Sequence, residues 1–75
     1  MIFEKVVTIL ADQLDLDENQ ITMESRLIED LNADSLDVVD LIMTFEDEFN
    51  TEFLEEDAES LKTVADIVNY IESNQ

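Results

Sequence analysis

A chain of 75 residues with 45% apolar side chains makes one small domain with a modest core. It contains no cysteine and no histidine, which removes disulfides, thiolate metal sites, the commonest transition-metal ligands and the usual general base near neutrality, and argues against a self-contained enzyme. The 21 acids against three bases give a formal net charge of −18, a balance that repels nucleic acid and anionic lipid and favours partners with basic surfaces. Lys5, Arg26 and Lys62 are the bases, and none lies between Leu27 and Ser60 although Asp and Glu recur throughout that stretch. Charge this one-sided opposes compaction, so it argues for docking beyond mere solubility.

Ile2 to Leu14 repeats apolar residues at Ile2, Val6, Ile9 and Leu10, widened by Phe3, Val7 and Leu14, while Glu4, Lys5, Asp12 and Gln13 point elsewhere. The spacing predicts a first amphipathic helix with a structural role. The opening residues lack the basic stretch, apolar run and small-residue cleavage site of a signal peptide, and no apolar run approaches membrane-spanning length. A cytoplasmic protein with no membrane insertion is expected. Asp15 to Leu31 loses periodicity and is rich in Asp, Asn, Glu and Thr, which predicts a long loop anchored by Leu16, Ile21, Leu27 and Leu31. Its beginning, Asp15-Leu16-Asp17-Glu18-Asn19, has the look of an EF-hand calcium loop. That chemistry fails, because Gln20 stands where the sharp turn wants Gly and Arg26 where a bidentate carboxylate is needed.

The stretch Asp30-Leu31-Asn32-Ala33-Asp34-Ser35-Leu36-Asp37 reads first as a turn and then as a helix start. Asn32 tolerates a left-handed backbone, Asp34 is suited to cap a helix beginning just after it, and Asp37 stands in for the Glu of a capping box. Ser35 therefore falls at the exposed head of a helix over Ser35 to Phe49. Leu36, Val39 and Met43 share one stripe of it, and Val38, Leu41, Ile42, Phe45 and Phe49 the adjoining one. Together they cover more than one buried face requires, so one apolar strip should be left over, flanked by Asp37, Asp40, Glu46 and Asp47. By local pattern alone, Ser35 is an ordinary residue near a helix start. Asn50 to Glu52 interrupts the pattern, Phe53 and Leu54 offer apolar anchors, and 55–59 reads as a short third helix or turn with acids at its N-terminus. Thr63, with Asp66 three residues on, caps a last helix that buries Val64, Ile67, Val68, Ile71 and Tyr70, and the tail Glu72 to Gln75 is expected to fray. With no Gly or Pro, turns must rely on Asn and Asp. The expected fold is all-α, a small four-helix bundle of three longer helices and one short, with a long loop between the first two.

In this setting Asp34-Ser35-Leu36, preceded by Glu29-Asp30-Leu31 and followed by Asp37, resembles the phosphopantetheine attachment site of acyl carrier proteins, and the resemblance runs over all 75 residues, including Thr63 to Ile71. Two positions depart from the family pattern. Asn32 replaces a common Gly, at little cost to the turn, and Phe53-Leu54 replaces a common Ile-Pro, which should leave the loop before the third helix looser. The resemblance implies a discrete, monomeric carrier of fatty-acid synthesis, residues 1–75 forming a single domain, with a phosphopantetheine arm from coenzyme A on Ser35. Without His or an evident Lys beside Ser35, a phosphopantetheinyl transferase must supply the base. It further implies partner recognition by Asp34, Leu36, Asp37, Val39, Asp40, Met43, Glu46 and Asp47 on enzymes with basic docking patches. Candidates to line an acyl cavity are Leu27, Leu31, Val38, Leu41, Phe45, Leu61, Ile67 and Tyr70, with bulky Phe45 and Ile67 suggesting a shallow one. No specific metal site is expected, although Glu29, Asp30, Asp34 and Asp37 could attract divalent ions weakly. The same arm also serves polyketide, peptide or D-alanine transfer, and an acidic helical interaction or calcium-buffering protein without an arm is the alternative from another class.

Overall fold

Without glycine, each left-handed turn of the chain falls to Asp or Asn. The computed structural model of the protein describes residues 2–74, Glu55 by its backbone alone. Helix α1, Ile2–Leu14, ends where Asp15 takes φ of 56° and Leu16 N–H returns to the Ala11 carbonyl at 2.9 Å. Helix α2, Ser35–Phe49, ends in the same way at Asn50, φ 51°, with Thr51 N–H on the Glu46 carbonyl at 3.2 Å. Both are closures that normally favour Gly at the left-handed position. Asn32, φ 60°, makes the third such turn and leads into α2, as its residue type predicted. A four-residue helix α3, Glu55–Ala58, and a final α4, Val64–Ser73, complete an all-α bundle.

The long loop between α1 and α2 is more ordered than its lack of periodicity suggested. It contains a 3-10 turn, Glu18–Gln20, begun by Asp17 and closed by the Gln20 side chain. Further on, it lies along the start of α4. Leu27 N–H meets the Lys62 carbonyl at 2.9 Å, while Val64 and Ala65 N–H reach the Ser25 and Met23 carbonyls at 3.0 and 2.9 Å. Those last two donors are the first of α4 and have no intrahelical partner, so the loop satisfies what the helix cannot. Asp66 N–H goes to Thr63 Oγ1 at 3.2 Å, and Asp66 Oδ2 accepts from Thr63 N–H at 3.1 Å and Lys62 N–H at 3.0 Å. At its other end α4 continues through Glu72 and Ser73, which were expected to fray, because Asn74 closes the last turn with bonds to the Tyr70 and Ile71 carbonyls. Gln75 lies outside the described residues.

Helix α1 packs against both α2 and α4, and the core between them centres on Phe45, Leu10, Leu41, Ile67 and Ile71, joined by Leu27 from the loop. Burying each such side chain is worth about 1.5–3 kcal/mol, and this core must offset the repulsion among the acids. The segment before α3, expected to be loose for want of a proline, is tied on both sides. Phe53 N–H bonds Glu46 Oε2 at 2.9 Å, Leu54 N–H bonds the Tyr70 hydroxyl at 3.3 Å, and the Phe53 and Tyr70 rings stack at 4.7 Å.

Two outcomes follow for stability. Asn and Asp escape most of the left-handed penalty that other residues bear, and glycine adds chain entropy of roughly 0.4–1 kcal/mol to the unfolded state, so Asn50→Gly and Asp15→Gly should each leave urea-unfolding stability within about 0.5 kcal/mol of the parent. Asp15→Gly should fare the better of the two, since it also removes a negative charge from the negative end of the α1 dipole. For Asp66, the Lys62 N–H is the leading influence holding the carboxylate below its usual range, with Thr63 and the Lys62 charge adding to it against partial desolvation. A depressed carboxylate adds stability above its unfolded pKa and loses it as pH falls through the folded value. Asp66→Asn should therefore be less stable than the parent near neutrality, and the gap in urea midpoint should close on acidification below the usual carboxylate range.

Candidate functional site

Helix α2 begins with a reciprocal pair of hydrogen bonds. Asp34, in an extended backbone conformation, accepts from Asp37 N–H at 2.9 Å through Oδ1, and Asp37 Oδ2 accepts from Asp34 N–H at 3.2 Å. The box leaves Ser35 and Leu36, the first two residues of the helix, with N–H groups that make no hydrogen bond among the described residues. Ser35 itself is exposed. Just upstream, Leu31 and Ala33 are buried while Asn32 and Asp34 point outward, and Ala33 N–H on the Leu27 carbonyl at 3.0 Å fixes this alternation. The serine is thus held out by a turn anchored on either side of it. The Ser35 hydroxyl makes no hydrogen bond to a described side chain, and the chain offers no imidazole or thiol to activate it.

Arg26 gathers the acids ahead of that turn. Its guanidinium reaches Asp30 at 3.1 and 3.3 Å and Glu29 at 2.6 Å, and its N–H bonds Asp30 Oδ2 at 2.8 Å. The Arg26 guanidinium holds the Asp30 carboxyl below the usual range, with the Arg26 N–H adding to it. Glu29 and Asp30 are therefore committed to Arg26, and Asp34 and Asp37 to the helix start. Among the described residues no group of three or more acids could hold a metal ion.

From Ser35 an open groove of about 1050 Å³ runs between α2, α3 and the long loop. Its apolar lining is Leu27, Ile28, Val38, Val39, Ile42, Ala58 and Leu61, and its polar rim includes Arg26, Glu29, Glu56, Glu59, Lys62 and Asp66. Of the eight side chains read from the sequence as cavity lining, Leu27, Val38 and Leu61 face this groove. Leu31, Leu41, Phe45 and Ile67 are packed in the core, and Tyr70 turns its hydroxyl to α3. Sequence reasoning missed Ile28, Val39, Ile42 and Ala58. The signal for two of them was present: Ser35, Val38, Val39 and Ile42 stand at i, i+3, i+4 and i+7, one stripe of a helix.

The surplus strip of α2 is where its period put it. Leu36, Val39 and Met43 are 75%, 53% and 61% exposed, beside the exposed carboxylates of Asp40 and Asp47. Glu46 differs from its neighbours, since it is half-buried and spends its carboxylate on the Phe53 N–H.

Residues 4–71 match the family model described as the phosphopantetheine attachment site. The chain is also 54% identical over 74 residues to the acyl carrier protein of Clostridium acetobutylicum, covering 99% of this chain and 96% of that one. The chain belongs to the acyl carrier protein family. It is 53% identical over 73 residues to the acyl carrier protein of Helicobacter hepaticus, covering 97% and 96% of the two chains. A solved structure of the Enterococcus faecalis acyl carrier protein superposes with a TM-score of 0.85 at 40% identity, over 99% of this chain and 94% of that one. As a member of this family the protein is a non-catalytic carrier whose prosthetic group is phosphopantetheine. The site suits such a group: an exposed hydroxyl, two unpaired N–H groups at the positive end of a helix, and an apolar groove adjoining. No helix among the described residues is long and apolar enough to cross a membrane.

The two roles on this helix turn separate under mutation. Asp34→Ala removes the cap and should cost about 1 kcal/mol of urea-unfolding stability. Leu36→Ala, on an exposed side chain, should stay within roughly 0.5 kcal/mol of the parent.

Proposed function

We propose that Ser35 is the residue to which phosphopantetheine is joined, and that the protein carries acyl groups between the enzymes of fatty-acid synthesis. The observation that supports this best is the exposed Ser35 hydroxyl at the head of α2, set beside two unpaired N–H groups and opening on an apolar groove. The arm supplies a terminal thiol that holds acyl groups as thioesters, chemistry that a cysteine-free chain lacks. Ser35 offers its oxygen, and the transferase supplies the base that the site lacks. The N–H groups of Ser35 and Leu36 and the helix dipole favour a phosphate there by about 0.3–1 kcal/mol, against the nearby charges of Asp34 and Asp37. Val38, Val39, Ile42 and Leu61 offer an acyl chain a surface away from water.

Leu36, Val39 and Met43 then present an apolar strip to each partner, and Asp34, Asp37, Asp40 and Asp47 draw in basic side chains around it. Charge complementarity of this kind speeds encounter and sets orientation, while a strip of three side chains leaves affinity low enough for exchange between enzymes. In this reading residues 1–75 act as one monomeric carrier domain in the cytoplasm, without nucleic-acid or membrane partners.

Intact mass spectrometry tests the attachment. Incubated with coenzyme A and a phosphopantetheinyl transferase, the parent protein should gain one phosphopantetheine and Ser35→Ala none. A parent that stays unmodified, or a Ser35→Ala protein that is modified equally, contradicts the assignment.

A further inference from the structure

The 3-10 turn, α2 and α4 each start with a capping box, in which the side chain of the third helical residue accepts directly from the N–H of the capping residue. Helix α3 cannot do this. Its capping position is Leu54, whose side chain accepts no hydrogen bond, and four residues are far below the length at which a helix holds itself in water. The missing cap is completed from α4. The Tyr70 hydroxyl accepts from Leu54 N–H at 3.3 Å and donates to Asp57 Oδ2 at 3.0 Å, so one oxygen is inserted between the two groups that meet directly in the other boxes. The Tyr70 ring is itself held by stacking on Phe53, and Phe53 N–H is held by Glu46 of α2. Ala58 of α3 forms part of the groove wall facing Val38 and Ile42, and Glu59 follows it on the rim. Tyr70 does not line the groove.

We propose that Tyr70 is a positioning residue: by capping α3 from outside, its hydroxyl keeps that helix folded along the groove it shares with α2 and sets how long an acyl group the groove accepts. This inference rests on the reading of the groove as the shelter for cargo. Without the hydroxyl, α3 keeps its tether through Phe53 and Glu46 but loses the relay that joins Leu54 N–H to the Asp57 carboxylate. The wall becomes movable while the core stays in place.

Tyr70→Phe retains the ring and its stack and removes only the hydroxyl, and Asp57→Ala removes the acceptor. In the unmodified protein, hydrogen exchange of the Asp57 and Ala58 amides, which bond the Leu54 carbonyl, should quicken about ten-fold in Tyr70→Phe, with α2 and α4 amides changing less than about two-fold. The double variant should exchange no more than roughly two-fold faster than Tyr70→Phe, because both changes break one relay. In protein loaded with chains from butyryl to dodecanoyl, the length giving the largest rise in unfolding temperature should move toward longer chains in Tyr70→Phe. Unchanged α3 exchange, or faster exchange with the parent's chain-length profile, overturns the proposal. A parent that gains no stability with any chain removes the sheltering role and this inference with it, a result distinct from a variant that copies a length-dependent parent.

Discussion

The pair of hydrogen bonds exchanged by Asp34 and Asp37 is the constraint on which the rest of the site depends. It starts α2 at Ser35, which places one hydroxyl at the helix tip, and it uses the third N–H of the helix while leaving the first two open. Burial of Leu41 and Phe45 in the core sets the rotation of the whole helix. With Ser35 at the first position, Val38, Val39 and Ile42 turn toward the groove, Leu41 and Phe45 enter the core, and Leu36 and Met43 remain in solvent. Successive residues of a helix are about 100° apart, so the hydroxyl would leave the mouth of the groove if the serine stood one position later on the same helix.

Charge imposes the second constraint. A chain at −18 has three bases, and they are not spread evenly over its work. Arg26 is fastened to Glu29 and Asp30 ahead of the site, and Lys62 lies on the rim of the groove. The outer face of α2 carries carboxylates and no base beside its apolar strip, which suits encounters with basic partners and weakens the fold for the same reason. Much of the remaining acid is put to structural use. Asp17, Asp34, Asp37, Asp57 and Asp66 all take part in starting helical elements, and Glu46 holds the segment before α3. In a protein without Gly or Pro, carboxylates do the work of beginning helices and Asp or Asn the work of ending them.

The features legible in the sequence were local. The limits of α1 and α2, the caps at Asp34 and Thr63, and the left-handed turn at Asn32 depend on residues within one or two helical turns of each other. The exposed strip Leu36, Val39 and Met43 came from having more apolar stripes than one buried face needs. The features that were not legible join distant residues. The Tyr70 bonds to Leu54 and Asp57 cross 16 and 13 residues, and the loop's pairing with the start of α4 joins Ser25 to Val64, so neither leaves a periodic trace. The lining of the open groove differs from the residues read as cavity lining for a related reason. Large apolar residues such as Phe45 and Ile67 have the bulk to enclose cargo, but size and burial together mark the centre of a core. The groove is made of medium-sized side chains from α2, α3 and the loops, most of them half-buried or exposed, with Leu27 and Leu61 buried.

The proposed role turns on the open N–H groups at the head of α2 receiving a phosphate carried by Ser35. Amide chemical shifts of the protein before and after loading with phosphopantetheine read this out at the atoms concerned. The largest changes are predicted at Ser35 and Leu36, smaller ones along Val38, Val39 and Ile42, and almost none in α1. A loaded protein whose Ser35 and Leu36 amides are undisturbed, with the changes centred on another element, would contradict it.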